Sequence, residues 1–360
     1  DVRLADGKRF ARRLHRVAVP AEQRPHFRGD GTYVIAGGTG AIGRRIAQWL
    51  AERGAGRVVL LSRRGEPVDG FEVRRCDIAD RDALRNALAN LSNLRGVIHA
   101  AGVVSDRLLA HETEEHLAEL FRAKVDGARN LHELTIDTPL DCFILFSSVT
   151  SLLGLTGAGA YAAANSALDA LAQHRRDRDL PALSINWAAW RGLGMAEAGR
   201  DERRENAWRA HGIDSFVAED GLAFLDAALV SPHAQLAFLP ADWNAHVRHF
   251  RSGYVPPLLR DLVQSAQPRA ATSDGGLPER LNEERTENGR RDMLLRFVND
   301  SAARVIGRPH ERLDPRRPLT ELGVDSLGAI ELRNLISIAL DHTLPATLVY
   351  NHPTIDALAR

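Results

Sequence analysis

The chain has 360 residues, room as a first estimate for two domains and a substantial core. Its 47 basic side chains balance 47 acidic ones, so no net field recruits nucleic acid or an anionic membrane, and no apolar run approaches the roughly 20 residues of a membrane span. Two cysteines, Cys76 and Cys142, supply neither a disulfide framework nor metal-ligand spacing, so the chain reads as a reduced, cytosolic protein with no metal site.

It opens at Asp1 without an initiator Met and reads as a piece of a longer polypeptide. Within residues 1–29, Arg9-Phe-Ala-Arg-Arg-Leu-His-Arg-Val17 predicts a basic strand with no helix of its own to pack on; a disordered arm is the alternative. Gly31-Thr-Tyr-Val-Ile-Ala36 then predicts a buried strand, running into Gly37-Gly-Thr-Gly-Ala-Ile-Gly43 and a helix from Arg44 to Arg53. Gly37, Gly40 and Gly43, with Thr39 and Ile42 between them, let backbone approach a pyrophosphate at a helix amino terminus. The strand before and the helix after are the context this dinucleotide-binding signal requires. It is no Walker loop, because the Lys-Ser/Thr pair is absent.

A second strand, Arg57–Leu61, ends in Ser62-Arg-Arg64. An acidic residue here would accept the ribose 2′-hydroxyl of NAD, whereas a hydroxyl and an arginine suit a 2′-phosphate, so Ser62 and Arg63 point to NADPH; two solvated arginines are the alternative. The connection to the next strand, Phe71–Arg75, is too short for a crossover helix, which needs at least about 10 residues. Gly96–Val103 predicts the fourth strand and a small-residue turn in which Ala100, Ala101 and Gly102 leave a cofactor room against backbone.

Cys142–Phe146 reads as a buried parallel strand delivering Ser148 at its carboxyl end, where open α/β sheets keep their ligand crevices. The Gly-rich stretch Gly154–Gly159 breaks the strand, and an Ala-rich helix follows from Ala160 to Ala172. Tyr161 and Asn165, four apart, share one face of it. A free phenol titrates at about 10 and donates poorly near neutrality without a fixed positive charge beside it. Only Lys8 and Lys124 among the 47 basic residues are lysines, so an amine at 124 stands out from the general use of arginine, although alone it would read as a surface residue.

Lys124, Ser148, Tyr161 and Asn165, with Ser148 thirteen residues before the tyrosine, resemble the catalytic tetrad of short-chain dehydrogenases/reductases. The order, Lys upstream of Ser and Asn four after Tyr, resembles the ketoreductase domain of modular polyketide synthases, over roughly residues 30–250. The resemblance implies a Rossmann-type, doubly wound parallel sheet, a subdomain remnant at 1–29 and a catalytic domain at 30–263. It also implies that Asp77 faces the adenine, unless it only starts a helix. Asp106 matches the marker of B-type enzymes, which give the D-configured β-hydroxyl, unless it only caps a helix; Leu153 replaces the A-type Trp. Asn186-Trp187 and Gly194-Met195, leading into the charged segment 197–205, match a lid over substrate, with Trp187 and Trp190 either core or ligand contacts.

Residues 264–289 lack aromatics and apolar periodicity and read as a flexible linker. Residues 290–360 predict a small all-α helical bundle: an amphipathic helix from Arg291 to Val305, then Leu319-Thr-Glu-Leu-Gly-Val-Asp-Ser-Leu327 opening a helix from Leu327 to Ile338. Ser326 after Asp325 could be a plain N-cap, but its surroundings resemble an acyl carrier protein and imply that 4′-phosphopantetheine is attached there. The combined expectation is reduction of a carrier-bound β-ketoacyl thioester with NADPH, partnered by a phosphopantetheinyl transferase and other synthase domains. A redox-silent scaffold or epimerase fused to a carrier is the alternative.

Overall fold

The structure, a computed structural model, describes residues 2–5, 7–18, 25–102, 107, 109–155, 157–193, 208–209, 212–247, 255–263, 276–306, 308, 311–324, 326–340, 342, 344–345 and 347–360. These form two compact units, Ala18–Glu202 with Asp214–Pro240, and Asp1–Val17 with Arg203–Ile213 and Ala241–Arg360.

The first unit is built on strands that read as near-continuous apolar runs because both of their faces are covered. In chain order its elements are β3 (Thr32–Ala36), α1 (Ala41–Glu52), β4 (Arg57–Ser62), β5 (Glu72–Arg75), α2 (Arg81–Leu88), β6 (Leu94–His99), α3 (Glu114–Phe121), α4 (Gly127–Leu134), β7 (Cys142–Ser148), α5 (Thr150–Leu153), α6 (Gly159–Arg176), β8 (Leu183–Trp187), α7 (Ala218–Leu229) and β9 (Gln235–Phe238). The seven strands form one sheet in the order β5-β4-β3-β6-β7-β8-β9, all parallel. The order reverses between β3 and β6, creating a crevice at the carboxyl ends of these two strands. One face of the sheet packs Val34, Val59, Val97, Phe143 and Leu145 against Leu84, Leu131 and Leu168 of the helices.

The expected loss of one crossover helix holds: β4 and β5 pair in parallel while residues 63–71 between them contain only turns and a bridge from Val68 to Phe71. Between α3 and α4, Arg122–Asp126 winds as a π-helix rather than continuing the α-helix. Such a wider turn rotates the side chains that follow it, and it commonly sits at functional positions.

The second unit differs from the sequence reading at two places. β1 (Val2–Ala5) and β2 (Lys8–Ala11) form an antiparallel hairpin, so the strand expected to reach Val17 stops at Ala11. Among the described residues it pairs with its own neighbour alone, across a tight turn at Gly7, φ +69°. In the stretch read as a linker, Leu277–Glu283 forms a short helix, started by Pro278 with Glu279 in its first turn and burying no residue. With the one-turn helix Trp243–Val247 as α8, this is α9, and α10 (Glu287–Val305), α11 (Ser326–Ala339), α12 (Leu348–Asn351) and α13 (Ile355–Leu358) complete the unit. α10 is capped by Thr286, and its Val298 and Ala302 join Leu319, Leu332, Ile336, Val349 and Ile355 in a small apolar core.

Candidate active site

The turn after β3 is a cradle that side chains would fill. Gly37 has φ +79°, and a Cβ there would lie 2.7 Å from the backbone of Ala101; one on Gly43 would meet the Gly37 carbonyl. α1 begins at Gly40 with no side-chain cap and no acid in its first turn, whereas α2 is capped by Asp80 and α3 by Thr113, each with an acid following. The free amide N–H groups and positive dipole end of α1 are therefore open to an anion. Beside them the Thr39 hydroxyl donates to Ser62 Oγ at 2.9 Å, tying the turn to the end of β4, and the Arg63 side chain is exposed. Ile42 is half-buried on α1, and Ala100 follows β6 with its N–H on the Ala36 carbonyl. These residues fit a dinucleotide phosphate, as their donors are unpaired with acids and their space is kept clear.

Asp77, between β5 and α2, is already engaged. Burial raises its carboxyl, but hydrogen bonds from Arg122 at 2.9 Å and the Ala79 N–H, with the charges of Arg122 and Arg63, outweigh this and hold it below the ordinary range.

The four residues of the expected tetrad come from three elements, since Tyr161 and Asn165 share α6. Ser148 ends β7, and its Oγ accepts the Thr150 N–H at 3.2 Å, which leaves the hydroxyl proton to be donated elsewhere. Tyr161 stands in the first turn of α6, 8% exposed. Lys124, in the π-helix, is 4% exposed, and its Nζ lies 5.3 Å from the centroid of the Tyr161 ring. The ammonium donates to Asn165 Oδ1 at 2.7 Å and the Phe146 carbonyl at 2.9 Å, while Asn165 Nδ2 donates back to the Tyr161 carbonyl at 2.8 Å. Asn165 thus fixes the lysine to the helix that carries the tyrosine. Burial pushes the Lys124 ammonium down from its ordinary value, opposed by the neighbouring Tyr161 and Asp169.

Two supports escaped the sequence reading. His99, wholly buried at the end of β6, places Nε2 2.9 Å from the Lys124 carbonyl, and burial with the lysine charge pushes it down to about 4. The neutral ring pins the π-helix by donating to that carbonyl. Gly102 lies against the same side chain, since a Cβ there would sit 2.7 Å from Lys124 Cε. Behind Ser148, Asn186 of β8 and Asp169 of α6 form a buried polar cluster with Ser147, Ser151 and Ser184. A His inside an apolar strand was the available signal for the first; the cluster around Asp169 left none.

Leu153 ends α5, half-buried. Asp106 and the expected lid at 194–205 lie outside the described residues, though Arg107 donates its N–H to Gly157 O beside the start of α6. Ser326 is the first residue of α11, and Asp325 is outside the described residues.

Residues 31–192 match the family described as the KR domain, and residues 296–360 that described as the phosphopantetheine attachment site. The chain joins a ketoreductase domain to a carrier domain. It is 41% identical over 358 residues to the spectinabilin polyketide synthase system protein NorB of Streptomyces orinoci, covering 93% of this chain and 16% of that protein. Erythronolide synthase EryA2 of Saccharopolyspora erythraea is 38% identical over 349 residues, covering 92% of this chain and 10% of the synthase. The ketoreductase chain therefore spans about a sixth or less of these relatives. Among solved structures, an A1-type ketoreductase is similar with TM-score 0.67 and 36% identity over 72% of this chain and 58% of its own. A C2-type ketoreductase from a modular polyketide synthase gives TM-score 0.65 and 28% identity, over 73% of this chain and 59% of its own. No helix among the described residues is long and apolar enough to cross a membrane.

Proposed function

We propose that the chain reduces a β-ketoacyl thioester, tethered through phosphopantetheine on Ser326, to the D-configured β-hydroxyacyl thioester, using NADPH. The reading is carried by the buried Lys124–Asn165 bond of 2.7 Å beneath the Tyr161 ring, next to Ser148 and a turn whose glycines leave space for a nucleotide. Ser148 donates its free hydroxyl proton to the substrate carbonyl oxygen, an interaction that strengthens as that oxygen gains charge. Tyr161 gives its proton to the forming alkoxide, and the Lys124 ammonium stabilises the negative charge left on the phenol oxygen. Asn165 keeps that ammonium in place. Gly37, Gly40 and Gly43 would hold the pyrophosphate of a reduced nicotinamide dinucleotide, which would supply the hydride. Ser62 and Arg63 favour a 2′-phosphate, and hence NADPH, by offering a hydroxyl and an exposed guanidinium with no acid between them.

Asp106, with Leu153 in place of a Trp, supports B-type stereochemistry. The proposed organisation is a catalytic domain over 30–263, a connection over 264–289 that keeps the tethered substrate at high effective concentration, and a carrier over 290–360. Its partners are a phosphopantetheinyl transferase and neighbouring synthase domains, in the cytoplasm. NADPH oxidation with a β-ketoacyl-pantetheine thioester, followed by chiral analysis of the alcohol, tests each part. Turnover that stops in Tyr161→Phe while NADPH still binds is expected. An unreactive parent chain refutes the reductase, turnover with NADH but not NADPH refutes the cofactor, and the opposite alcohol refutes the type.

A further inference from the structure

Asp169 lies on α6 four residues after Asn165 and eight after Tyr161, on the face of the helix that carries both. It is 6% exposed, and the partners that surround its carboxylate are neutral donors. Ser184 Oγ lies 2.6 Å from Oδ1, Ser151 Oγ 2.7 Å from Oδ2, and Asn186 Nδ2 2.9 Å from Oδ2. Burying a carboxylate costs several kcal/mol unless hydrogen bonds or an opposite charge offset it, and among the described residues these neutral donors are what offsets it. The chain has 47 basic residues from which a bonded partner could have been drawn.

Asn186, with two N–H groups, reaches both Asp169 and the serine turn, while the single Ser151 proton is shared between Asp169 and the Ser148 carbonyl. Ser151 Oγ lies 2.9 Å from the Ser148 carbonyl, and Asn186 Nδ2 is 3.2 Å from the same oxygen and 3.0 Å from Ser147 Oγ. Gln235 of β9 donates to Asn186 Oδ1 at 2.8 Å, which fixes the amide with its N–H groups toward this cluster. Asp169 therefore ties the end of β7, where Ser148 stands, to the helix where Tyr161 stands. On the other side, the Lys124 ammonium feels its charge.

We infer that Asp169 is a positioning residue of the proposed reductase: its buried carboxylate locks the Ser148 turn against the helix that carries Tyr161 and, through Asn165, holds Lys124. This rests on the reductase reading given above. The titratable groups set around Lys124 are Tyr161 and Asp169 from α6 and His99 from β6, while α5 and β8 present neutral Ser151, Ser184 and Asn186 to the carboxylate. Removing a nearby anion makes every proton in the Lys124–Tyr161 pair easier to lose, so the basic limb of the kcat–pH profile moves to lower pH.

The test uses the full chain, NADPH and a β-ketoacyl-pantetheine thioester. The parent must first turn over; if it does not, the reductase reading fails and not this inference alone. In Asp169→Asn, kcat is expected to fall at least tenfold, with KM within threefold and the basic limb displaced to lower pH. Ser151→Ala cuts the tie to the Ser148 carbonyl but keeps the charge, so it should lower kcat and leave the limb where it is. An Asp169→Asn enzyme within twofold of the parent, or one slowed with an unmoved limb, overturns the inference. Asp169→Ser, which removes the charge without aiming an amide at Ser151, carries the same test should Asp169→Asn not fold. Failure of both to fold makes Asp169 a residue of the fold alone and equally overturns it.

Discussion

Lys124→Met separates chemistry from stability at the centre of the site, because methionine keeps the apolar stem and deletes the ammonium. The lysine is 4% exposed and donates to Asn165 Oδ1 and the Phe146 carbonyl. Its removal orphans two buried acceptors, at about 1–3 kcal/mol each. Against that stands the cost of holding an ammonium out of water, several kcal/mol per ion, which disappears with it. The opposing terms leave a net change within about 2 kcal/mol, a Tm shift of no more than about 8 °C. Burial lowers the lysine in the folded state despite Tyr161 and Asp169, so its charge opposes folding at neutral pH. That penalty fades as pH rises toward lysine's ordinary value of about 10.4, and any advantage of the variant must shrink with it. Turnover, followed by NADPH absorbance with a β-ketoacyl-pantetheine thioester, is expected to drop at least about 100-fold. A variant that keeps turnover within about threefold, or that fails to fold, would refute the reasoning.

Gly37→Ala forces a side chain into left-handed backbone and against Ala101, so it should cost about 2–4 kcal/mol and abolish NADPH binding in a fluorescence titration. His99, lowered to about 4, and His132, lowered by burial and the Arg175 charge, both take up protons more readily when unfolded. Their contribution is complete above about pH 6.5 and is lost as pH falls from there toward 4; urea midpoints should drop through that window, less steeply in His99→Gln. With coenzyme A and a phosphopantetheinyl transferase, intact-protein mass spectrometry should show one added arm on the parent and none on Ser326→Ala.

Much of the site was legible because it is written in local spacing. The fourfold step from Tyr161 to Asn165 fixes a shared helical face, and the strand Cys142–Ser148 is a run that only a buried parallel position explains. Lys124 drew notice through the scarcity of lysine, yet its π-helical setting carries no compositional mark, since residue propensities do not encode the wider hydrogen-bond step. Asp169 looks in sequence like one more polar helix residue; only the meeting of α5, α6 and β8 makes it a buried acceptor. The hairpin at Gly7 follows an Asp-Gly pair, a turn signal passed over beside a run of basic residues. The helix at Leu277–Glu283 buries nothing and so has no apolar period to betray it.

Side-chain amines are so rare in this chain that they become a measuring device. Lys8 lies exposed on β2, and Lys124 is sealed in the interior. An acylating reagent should label the first at once and reach the second only when the interior opens. The slow appearance of an adduct on Lys124, located by peptide mapping, would then clock the breathing of this enzyme, and a bound nucleotide should stretch that interval.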